Sequence, residues 1–527
     1  MEINTFEKMQ KKASKKSQSD FLRLGLSLVF MALVLIATWN KIPGNPFLAV
    51  AALFGAYMAM NIGANDVANN VGPAVGSKAL TMFGAIVIAA VFESAGALIA
   101  GADVTGTIKK GIISPTAFSQ PEYFVWAMTA ALLAAALWLN LATYLKAPVS
   151  TTHSIVGGVM GGGIAAAGSF GIVAWGTMGK IAASWVISPI LGGVIAALFL
   201  YAIKKTIVYK DDMKRAALKL VPLYVSVMGW AFVTYIAIKG MKHILKLSFP
   251  TAAGVGLLAA IAIFFAVKGA LSKYTDSIVN ERESINRLFT IPLIFSAALL
   301  SFAHGANDVA NAVGPLAGIY DALSHASISS KAAIPLWVMV IGALGISLGL
   351  ALYGPKLIKT VGSEITELDQ IRAFSIALAA AITVILASQL GLPVSSTHIA
   401  LGGVFGVGFL REWLDRTQRL EYRIEEEKMR IDEIKRSLEA AKSELASIES
   451  KEEKSKDDYE RIVRLFEKVN DYEKELKRES KALKRVYKTK YVKRSALNKI
   501  VAAWLVTVPV AAGISALIFY VIKGIML

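Results

Sequence analysis

The chain has 527 residues, 55% of them hydrophobic and 18% charged, with no cysteine and a formal net charge of +18. Soluble domains average roughly 25% charged residues, so the composition excludes a single water-soluble core as the main architecture. The lack of cysteine excludes disulfides, thiolate metal sites and cysteine nucleophiles. The basic residues stand at the ends of apolar stretches and in one polar insert, which indicates membrane topology and no nucleic-acid partner.

Apolar stretches with few or no charges, which could cross the ~30 Å hydrocarbon layer as helices of about 20 residues, recur along the chain. They lie near residues 21–39, 47–62, 79–101, 123–145, 180–203, 218–238, 250–270, 288–304, 333–353, 373–391 and 498–522. Lipid offers no partner to backbone polar groups, so these stretches must be helical. We predict an all-α polytopic membrane protein with about twelve transmembrane helices.

The residues before the first apolar stretch are rich in lysine, which predicts a cytoplasmic N-terminus in a multi-pass protein of the cell (inner or plasma) membrane. We expect the first stretch to be a membrane helix and not a cleavable signal, because the sequence after it shows no small-residue cleavage site followed by a soluble domain. We therefore expect membrane lipids to surround the helical bundle.

Two motifs occur twice, in the same order. Gly-Ala-Asn-Asp-Val-Ala-Asn at 63–69 returns at 305–311, and Pro-Val-Ser-(Thr/Ser)-Thr-His at 148–153 returns at 393–398. A third match, with Trp185 and Trp504, closes each copy. Duplicated halves are typical of secondary transporters, whose substrate sites lie near mid-membrane where the halves meet.

The repeats suggest six segments. They are an N-terminal cytoplasmic arm with the first transmembrane helix (1–46), a first transport repeat (47–205), a linker with two transmembrane helices (206–288), a second transport repeat (289–410), an insert (411–494), and the last helix of the second repeat (495–527). The insert carries apolar residues at steps of three and four, among them Ile431, Ile434, Leu438, Tyr459 and Phe466. This pattern predicts a cytoplasmic antiparallel helical hairpin packed as a coiled coil, either an accessory arm or a regulatory sensor.

Asp66 and Asp308 fall at the ends of apolar stretches and beside several Asn, and an Asp at the centre of a membrane helix costs roughly 2.5 to 3.5 kcal/mol on insertion scales. The neighbouring Gly and Gly-Pro are expected to break each helix and expose carbonyls. Asn and Asp oxygens with free carbonyls suit Na⁺ or another alkali cation. The alternative is that these groups only hydrogen-bond one another and hold helices together.

The second motif suits an anion. Proline is favourable at the first position of a helix, so Pro148 and Pro393 are each expected to open a half-helix. The hydroxyls that follow would lie beside free N–H groups at the positive end of the helix dipole. The alternative is that these Ser and Thr side chains bond to the preceding turn. Glycines behind the motif, such as Gly157 and Gly402, should let neighbouring helices approach closely.

These two sites predict coupling. An oxyanion near two Asp carboxylates gathers several negative charges in a low-dielectric pocket, and the apolar segments carry almost no Lys or Arg. The missing positive charge must come from solution, so cation binding becomes a condition of anion binding. This is symport in its simplest electrostatic form.

The duplicated motifs resemble those of the inorganic phosphate transporter (PiT) family, known as solute carrier family 20 in animals. The resemblance covers both halves and leaves out the N-terminal arm and the insert. It implies a Na⁺- or H⁺-coupled phosphate symporter with inverted-topology halves, broken or re-entrant helices and a homodimeric assembly. No cofactor other than the coupling ion is implied.

The resemblance also implies roles for individual residues. The cation residues are Asn65, Asp66, Asn307, Asp308 and Glu93, and the phosphate residues are Ser150, Thr151, Thr152, Ser395, Ser396 and Thr397. Asn69 and Asn311, assigned to phosphate, could face either ion. Glu93 matches an acidic position of the family, whereas Ala377 stands at its counterpart in the second half.

Three histidines are weaker candidates. His153 and His398 could relay protons or remain neutral supports, and His304 replaces Ile62 of the first half, which breaks the symmetry. Alternative functions are transport of sulfate or a metal–phosphate complex, a channel, and an intramembrane hydrolase using Ser150 with His153. The chain contains no Walker P-loop or His-Glu-x-x-His pattern, so we expect a transporter and not an enzyme.

Overall fold

The structure is a computed structural model that describes residues 2–42, 45–114, 118–145, 147, 149–239, 247–325, 334–363, 368–415, 421–451, 453–488 and 494–527. Within these ranges the chain forms twenty α-helices, short 3₁₀ and π segments, and one isolated bridge between Ile113 and Val173. The helices are α1 (Glu2–Thr38), α2 (Phe47–Asn65), α3 (Val67–Gly76), α4 (Met82–Ala100), α5 (Ala102–Lys110), α6 (Pro121–Tyr144), α7 (Thr151–Ala167), α8 (Trp175–Ile203), α9 (Met213–Lys239), α10 (Phe249–Lys273), α11 (Arg282–Arg287), α12 (Thr290–Asp308), α13 (Ala310–His325), α14 (Leu336–Tyr353), α15 (Pro355–Ser363), α16 (Gln370–Gln389), α17 (Ser396–Asp415), α18 (Glu421–Glu449), α19 (Lys456–Lys488) and α20 (Arg494–Met526).

Eleven helical segments in the described ranges are long and apolar enough to cross a membrane. They are Ser17–Thr38, Phe47–Gly76, Met82–Ala100, Pro121–Tyr144, Trp175–Val208, Met213–Lys239, Phe249–Lys273, Arg282–Ser324, Leu336–Tyr353, Gln370–Gln389 and Val501–Met526. Each overlaps one of the apolar stretches of the sequence. The prediction of an all-helical polytopic membrane protein is therefore confirmed, with eleven spans where about twelve were expected.

The helix breaks lie beside the Asp residues and not at Gly-Pro. Only Asp66 separates α2 from α3, and only Val309 separates α12 from α13. Pro73 lies inside α3 and Pro315 inside α13. The position predicted for the break was wrong because the helices continue through the prolines. Each proline still removes the N–H that would bond the carbonyl four residues earlier, which belongs to Asn69 in α3 and Asn311 in α13.

Glycines let the two halves interlock. A Cβ added at Gly305 on α12 would overlap the carbonyl oxygen of Glu93 on α4, and one at Gly161 on α7 would overlap that of Ala512 on α20. A Cβ at Gly406 on α17 would likewise overlap the backbone of Gly193 on α8. These close approaches agree with the prediction for small residues and join helices from different copies of the repeat.

Residues 408–493 form a compact unit separate from the unit made by residues 1–407 and 494–527. Its helices α18 and α19 pack through Ala441, Leu445, Ile448 and Leu465, with Ile462, Val469 and Tyr472 beside them. Ion pairs of 2.6 Å join Lys442 to Glu473 and Arg461 to Glu444.

Two residues of this hairpin differ from the prediction. The exposed fractions of Tyr459 and Phe466 are 60% and 63%, so neither belongs to the helix–helix contact. The packed face of α19 uses positions 462, 465, 469 and 472, which follow the alternating steps of three and four of a coiled-coil seam. In the turn, hydrogen bonding with Lys451 lowers the pKa of Asp458 to about 2, so this carboxyl is ionised at physiological pH.

Candidate functional site

The predicted site residues meet at the ends of four helices. Asp66 follows α2, Asp308 ends α12, and the Ser/Thr motifs begin α7 and α17. All are buried, and the exposed fraction is 1% or less for Asn65, Asp66, Asn69, Glu93, Ser150, Thr151, Thr152, Asn307, Asp308, Asn311, Ser395, Ser396 and Thr397. The two duplicated motifs therefore form one cluster built from both halves of the chain.

Asp66 is held by both halves at once. Its Oδ2 accepts a hydrogen bond of 2.5 Å from the Thr151 hydroxyl, and its Oδ1 accepts one of 2.8 Å from the Thr397 hydroxyl. Hydrogen bonds to a carboxylate are roughly twice as strong as those between neutral groups. The carboxylate of the first half thus orients a hydroxyl from each helix N-terminus.

Asn69 and Asn311 also donate hydrogen bonds to the threonine hydroxyls that contact Asp66. The amide of Asn69 donates to Thr397 Oγ1 at 2.8 Å, and that of Asn311 donates to Thr151 Oγ1 at 3.1 Å and Thr152 Oγ1 at 3.2 Å. Each asparagine therefore contacts the Ser/Thr motif of the opposite half. Thr152 in turn donates to the carbonyl of Val394, which joins the two helix starts directly.

The helix starts are capped by serine and not opened by proline. Ser150 precedes α7 and its Oγ accepts from the N–H of His153 at 3.1 Å, while Ser395 Oγ accepts from the N–H of His398 at 3.3 Å. Serine is a favoured N-cap because its hydroxyl satisfies an N–H of the first turn. Pro393 lies two residues before this cap, and Pro148 lies outside the described residues. The prediction of a first-position proline was therefore wrong for Pro393, although both helices do begin at the motif.

Asn65 and Asn307 face the loops that lead into α7 and α17. Asn65 donates to Thr143 Oγ1 at 3.0 Å and to the carbonyl of Ala147 at 3.3 Å. Asn307 donates to Ser388 Oγ at 2.9 Å and to the carbonyl of Leu392 at 3.3 Å. The equivalent pattern shows that each Asn-Asp motif holds the tip of the helix pair α6–α7 or α16–α17 in its own half.

Several buried oxygens in the cluster have no hydrogen-bond partner among the described residues. They are the Oδ1 atoms of Asn65, Asn69, Asn70, Asn307, Asn311 and Asp308. Most buried polar atoms in proteins are paired, so a group of orphaned oxygens calls for an explanation. Amide and carboxylate oxygens are the ligands preferred by hard cations, and a bound cation would satisfy them.

A polar chain lies on one side of the cluster only. Asn70 donates to Glu93 Oε1 at 2.8 Å, Glu93 Oε2 lies 2.7 Å from His304 Nδ1, and His304 Nε2 lies 2.9 Å from Asp308 Oδ2. Suitable ligand atoms of Asp66, His304 and Asp308 all lie within 4.8 Å of one another. Glu93 thus reaches Asp308 through His304 and makes no direct bond to Asp66.

The sequence placed His304 only among the weaker candidates and did not point to Asn70. The signal was present, because His304 replaces Ile62 of the first copy and Ala312 replaces Asn70 in the second. The charge balance drawn from the sequence considered only Lys and Arg, whereas an imidazolium at His304 would carry a positive charge between two carboxylates. The positions at which the two repeats differ therefore pointed to site residues, as did the positions at which they are identical.

Four aromatic rings join the helix starts behind the site. His153 lies 3.7 Å from Trp185 and 4.6 Å from His398, whose ring stacks on Trp504 at 3.6 Å, all between ring centroids. His153 and Trp185 belong to the first copy, and His398 and Trp504 to the second. The stack therefore fixes the distance between the N-termini of α7 and α17.

Comparison with known proteins identifies the class of this site. Residues 62–515, which include both Asn-Asp motifs and both Ser/Thr motifs, match the model of the phosphate transporter family. The chain belongs to the phosphate transporter family. A Helicobacter pylori protein provisionally described as a phosphate permease is 50% identical over 544 aligned positions, which cover 98% of each chain.

More distant members of the phosphate transporter family are also similar. A provisionally described phosphate permease of Pyrococcus abyssi is 39% identical and covers 70% of this chain and 90% of its own. A solved structure, the sodium-dependent phosphate transporter, is 31% identical, with a TM-score of 0.71, 91% of this chain and 99% of that chain covered. The protein is thus a multi-pass membrane transporter of phosphate and not an enzyme, so the hydrolase alternative is set aside.

Proposed function

We propose that the protein is a symporter that imports inorganic phosphate together with Na⁺ through two inverted-topology halves. The phosphate is held at the N-termini of α7 and α17 by Ser150, Thr151, Thr152, Ser395, Ser396 and Thr397, with the amides of Asn69 and Asn311. The cations are held by oxygens of Asn65, Asp66, Asn307 and Asp308. Glu93 supports Asp308 through His304. The sodium-dependent transporter that shares the fold supports this assignment.

One observation carries the proposal: the hydroxyls of Thr151 and Thr397 both donate to Asp66. Phosphate at the two helix starts would need the same hydroxyl hydrogens. When they turn to the phosphate, Asp66 becomes a buried carboxylate without its donors, which is unfavourable unless a cation replaces them. Phosphate binding and cation binding are thereby coupled through the same two side chains.

The orphaned oxygens support a cation at this position. Asp308 Oδ1 and the amide oxygens of Asn69 and Asn311 are buried without partners, and the ligand atoms of Asp66 and Asp308 lie within 4.8 Å of each other. A cation between the carboxylates would offset their repulsion and complete the coordination of these oxygens. The partners that the structure shows for these two carboxylates are Thr151, Thr397, Ser396 and His304, none of which is a lysine or arginine.

A second candidate is proton-coupled transport of phosphate, a metal–phosphate complex or sulfate by the same fold. The observation that favours it is His304, which lies between Glu93 and Asp308. Because a neutral imidazole carries one N–H, a second proton at this residue would supply positive charge inside the site. The two candidates differ in the ion whose gradient drives uptake.

We further propose that the protein lies in the cell (inner or plasma) membrane as a homodimer, with its N-terminus and hairpin α18–α19 in the cytoplasm. The lysines before the first span support the orientation of the N-terminus. The hairpin is strongly charged and forms its own compact unit, as expected of a segment in water.

Uptake of radiolabelled phosphate into proteoliposomes tests the coupling ion. An inward Na⁺ gradient at equal pH should drive accumulation above equilibrium, and replacement of Na⁺ by choline should abolish it. Excess sulfate should not compete. Accumulation driven by a pH gradient in choline would instead select the proton-coupled candidate, and gradient-independent equilibration without counterflow would indicate a channel.

A further inference from the structure

The loop between α16 and α17 begins with a helix ending that the local sequence determines. Gly391, two residues after the end of α16, has a φ of +66°, the left-handed conformation that glycine adopts without strain. The N–H of Gly391 donates to the carbonyl of Ser388, and the N–H of Leu392 donates to that of Ala387, both at 3.1 Å. These bonds form a Schellman motif, which satisfies the last carbonyls of the helix. The carbonyls of residues 391–394 take no part in it and need partners elsewhere.

Each of these four carbonyls accepts a hydrogen bond from a side chain of another helix. The pairs of acceptor and donor are Gly391 with Thr107 Oγ1 at 2.8 Å, Leu392 with Asn307 Nδ2 at 3.3 Å, Pro393 with Trp185 Nε1 at 3.3 Å, and Val394 with Thr152 Oγ1 at 2.9 Å. Thr107, Trp185 and Thr152 belong to the first half of the chain. The first half therefore holds the loop that leads into the anion motif of the second half.

Among these four donors, Thr107 is the one that lies outside the binding cluster and the aromatic stack. Asn307 and Thr152 are proposed to bind the ions, and Trp185 contacts His153. Ion binding and ring packing account for those three side chains but not for Thr107, although its bond is the shortest of the four. The loop is the connection between Thr107 and the site.

A buried ion pair fixes the helix of Thr107 to the second half. Lys109 on α5 lies 3.0 Å from Asp321 on α13, and the exposed fractions of the two side chains are 5% and 2%. Loss of one partner would leave a buried charge uncompensated, so the pair resists separation. The helices α5 and α13 are also in close contact, since a Cβ added at Gly314 would lie 2.9 Å from the Ile108 side chain. Thr107 therefore donates from a helix whose place is fixed.

The position of the loop decides where the anion motif of the second half lies. Val394 is followed directly by Ser395, which caps α17, and by Ser396 and Thr397 at the start of this helix. A ligand that contacts both anion motifs needs its donors at the correct separation, and it binds more weakly when the protein must first order them. A loop held at four carbonyls keeps these donors in place before phosphate binds.

We propose that Thr107 is a positioning residue for phosphate. By holding the carbonyl of Gly391, it fixes the loop at residues 391–394 and hence the separation between Ser395–Thr397 and the anion motif of the first half. The inference rests on the proposed function, because it takes the two motifs to be the phosphate site. The effect of Thr107 is on the affinity for phosphate and not on the choice of the ion that drives uptake.

Three substitutions on α5 test the role of the Thr107 hydroxyl. Thr107→Val removes the hydroxyl at nearly constant volume, and Thr107→Ser keeps it. Thr105→Val is the matched control, because Thr105 lies on the same helix but donates to the carbonyl of Gly101 in its own chain segment, at 2.7 Å. Each variant is reconstituted in proteoliposomes, and uptake of radiolabelled phosphate is measured over a range of phosphate concentrations, in the ion gradient that drives uptake by the natural chain.

We expect Thr107→Val to raise the KM for phosphate about tenfold, as for the loss of one hydrogen bond, and to leave the maximal rate within about twofold. The maximal rate is preserved because phosphate, once bound, itself holds the start of α17. Thr107→Ser and Thr105→Val should keep the KM within about twofold of the natural value. Combined with Thr152→Val, which frees the same loop at Val394, Thr107→Val should raise the KM by less than the product of the two single effects.

An unchanged KM in Thr107→Val, or an equal rise in Thr105→Val or Thr107→Ser, would overturn the proposal. A lower maximal rate at unchanged KM would also overturn it, since it would show a structural role alone. The failure of the proposed function gives a different result. Thr152→Val without any effect on the KM would refute the anion motifs as the phosphate site, whereas an effect of Thr152→Val with none of Thr107→Val would refute only the positioning role.

Discussion

Asp66 and Asp308 occupy the same place in two copies of one motif, yet their surroundings differ. Asp66 accepts hydrogen bonds from Thr151 and Thr397, one hydroxyl from each half. Asp308 accepts a longer bond of 3.2 Å from Ser396 and lies 2.9 Å from His304. One carboxylate is therefore connected to both anion motifs, whereas the other is connected to one motif and to a titratable side chain.

The difference arises from few substitutions. Where the first half has Ile62, the second has His304, and His304 is long enough to contact Glu93 on the packed helix α4. Asn70 then satisfies the other oxygen of Glu93, whereas Ala312 stands at the equivalent position. A sequence repeat therefore predicts which residues lie in the same cluster, but it does not predict the hydrogen-bond partners of each residue. Two equal aspartates can thus have unequal roles in coupling.

Replacement of either aspartate tests the comparison most strongly. Asp66→Asn should reduce Na⁺-driven phosphate uptake by about two orders of magnitude, since it removes the negative charge of a proposed Na⁺ ligand without changing the shape of the side chain. Asp308→Asn should also depress uptake severely. The readout is radiolabelled phosphate uptake, with Asp276→Asn in the exposed 3₁₀ segment Thr275–Ser277 as control. Near-normal transport by both site variants, inserted and folded, would refute their assignment to the cations.

Na⁺ and phosphate should each increase the binding affinity of the protein for the other, by a large and equal factor. We expect Na⁺ to increase phosphate affinity by about 5- to 150-fold, the range of a typical coupling free energy of 1 to 3 kcal/mol. Phosphate must then increase Na⁺ affinity by the same factor. Calorimetric titrations in Na⁺ and in choline, at fixed pH and ionic strength, measure both. Equal phosphate affinity in the two salts would falsify sodium coupling.

Thr397 and Thr152 separate anion binding from coupling. Each change to valine should weaken phosphate binding by about tenfold, the loss expected for one hydrogen bond. Thr397 also donates to Asp66, whereas Thr152 donates to the Val394 carbonyl. Thr397→Val should therefore alter the Na⁺ dependence of phosphate affinity as well, and Thr152→Val should leave it steep. The same change in Na⁺ dependence in both variants would contradict coupling through Asp66.

The polar chain behind Asp308 should have a smaller effect. His304→Gln and Glu93→Gln should each lower uptake by about three- to tenfold, and the double variant by less than the product, since contacting residues are not additive. Uptake over a range of pH in a constant Na⁺ gradient is the measurement. The control is Ser301→Ala on the same helix, a buried hydroxyl with no partner among the described residues. Full additivity would show that the chain does not act as a unit.

The insert at 411–494, which has no counterpart in the first half, should have the smallest effect on phosphate uptake. Replacement of residues 415–490 by a short flexible linker should leave substantial phosphate uptake, because the insert has no counterpart in the first half and forms a separate compact unit. Expression and monodispersity verify that the shortened protein folds. Complete loss of uptake in a well-folded deletion would assign the hairpin a regulatory or assembly role instead.

The sequence predicted correctly which polar residues are buried, but it did not predict where the helices begin or which face of the hairpin packs. Burial of the duplicated aspartates beside the Ser/Thr motifs was predictable, because polar groups within apolar spans must find partners inside the protein. The helix starts were misjudged at Pro393, since serine caps the helix two residues later. The hairpin seam was misjudged at Tyr459 and Phe466, because several stripes of a charged helix carry apolar residues and only the partner helix selects one.

The sequence by itself determined the membrane class, the duplicated motifs, the family and which polar residues meet in the buried cluster. Length, hydropathy and exact duplication are properties of the chain that survive without knowledge of packing. Only the tertiary structure decided that both Thr151 and Thr397 donate to Asp66, that His304 lies between two carboxylates, and that Asn65 donates to Thr143 on α6. These contacts join residues as many as 331 positions apart. Partners at such separation depend on how helices from the two halves pack, which local sequence pattern does not specify.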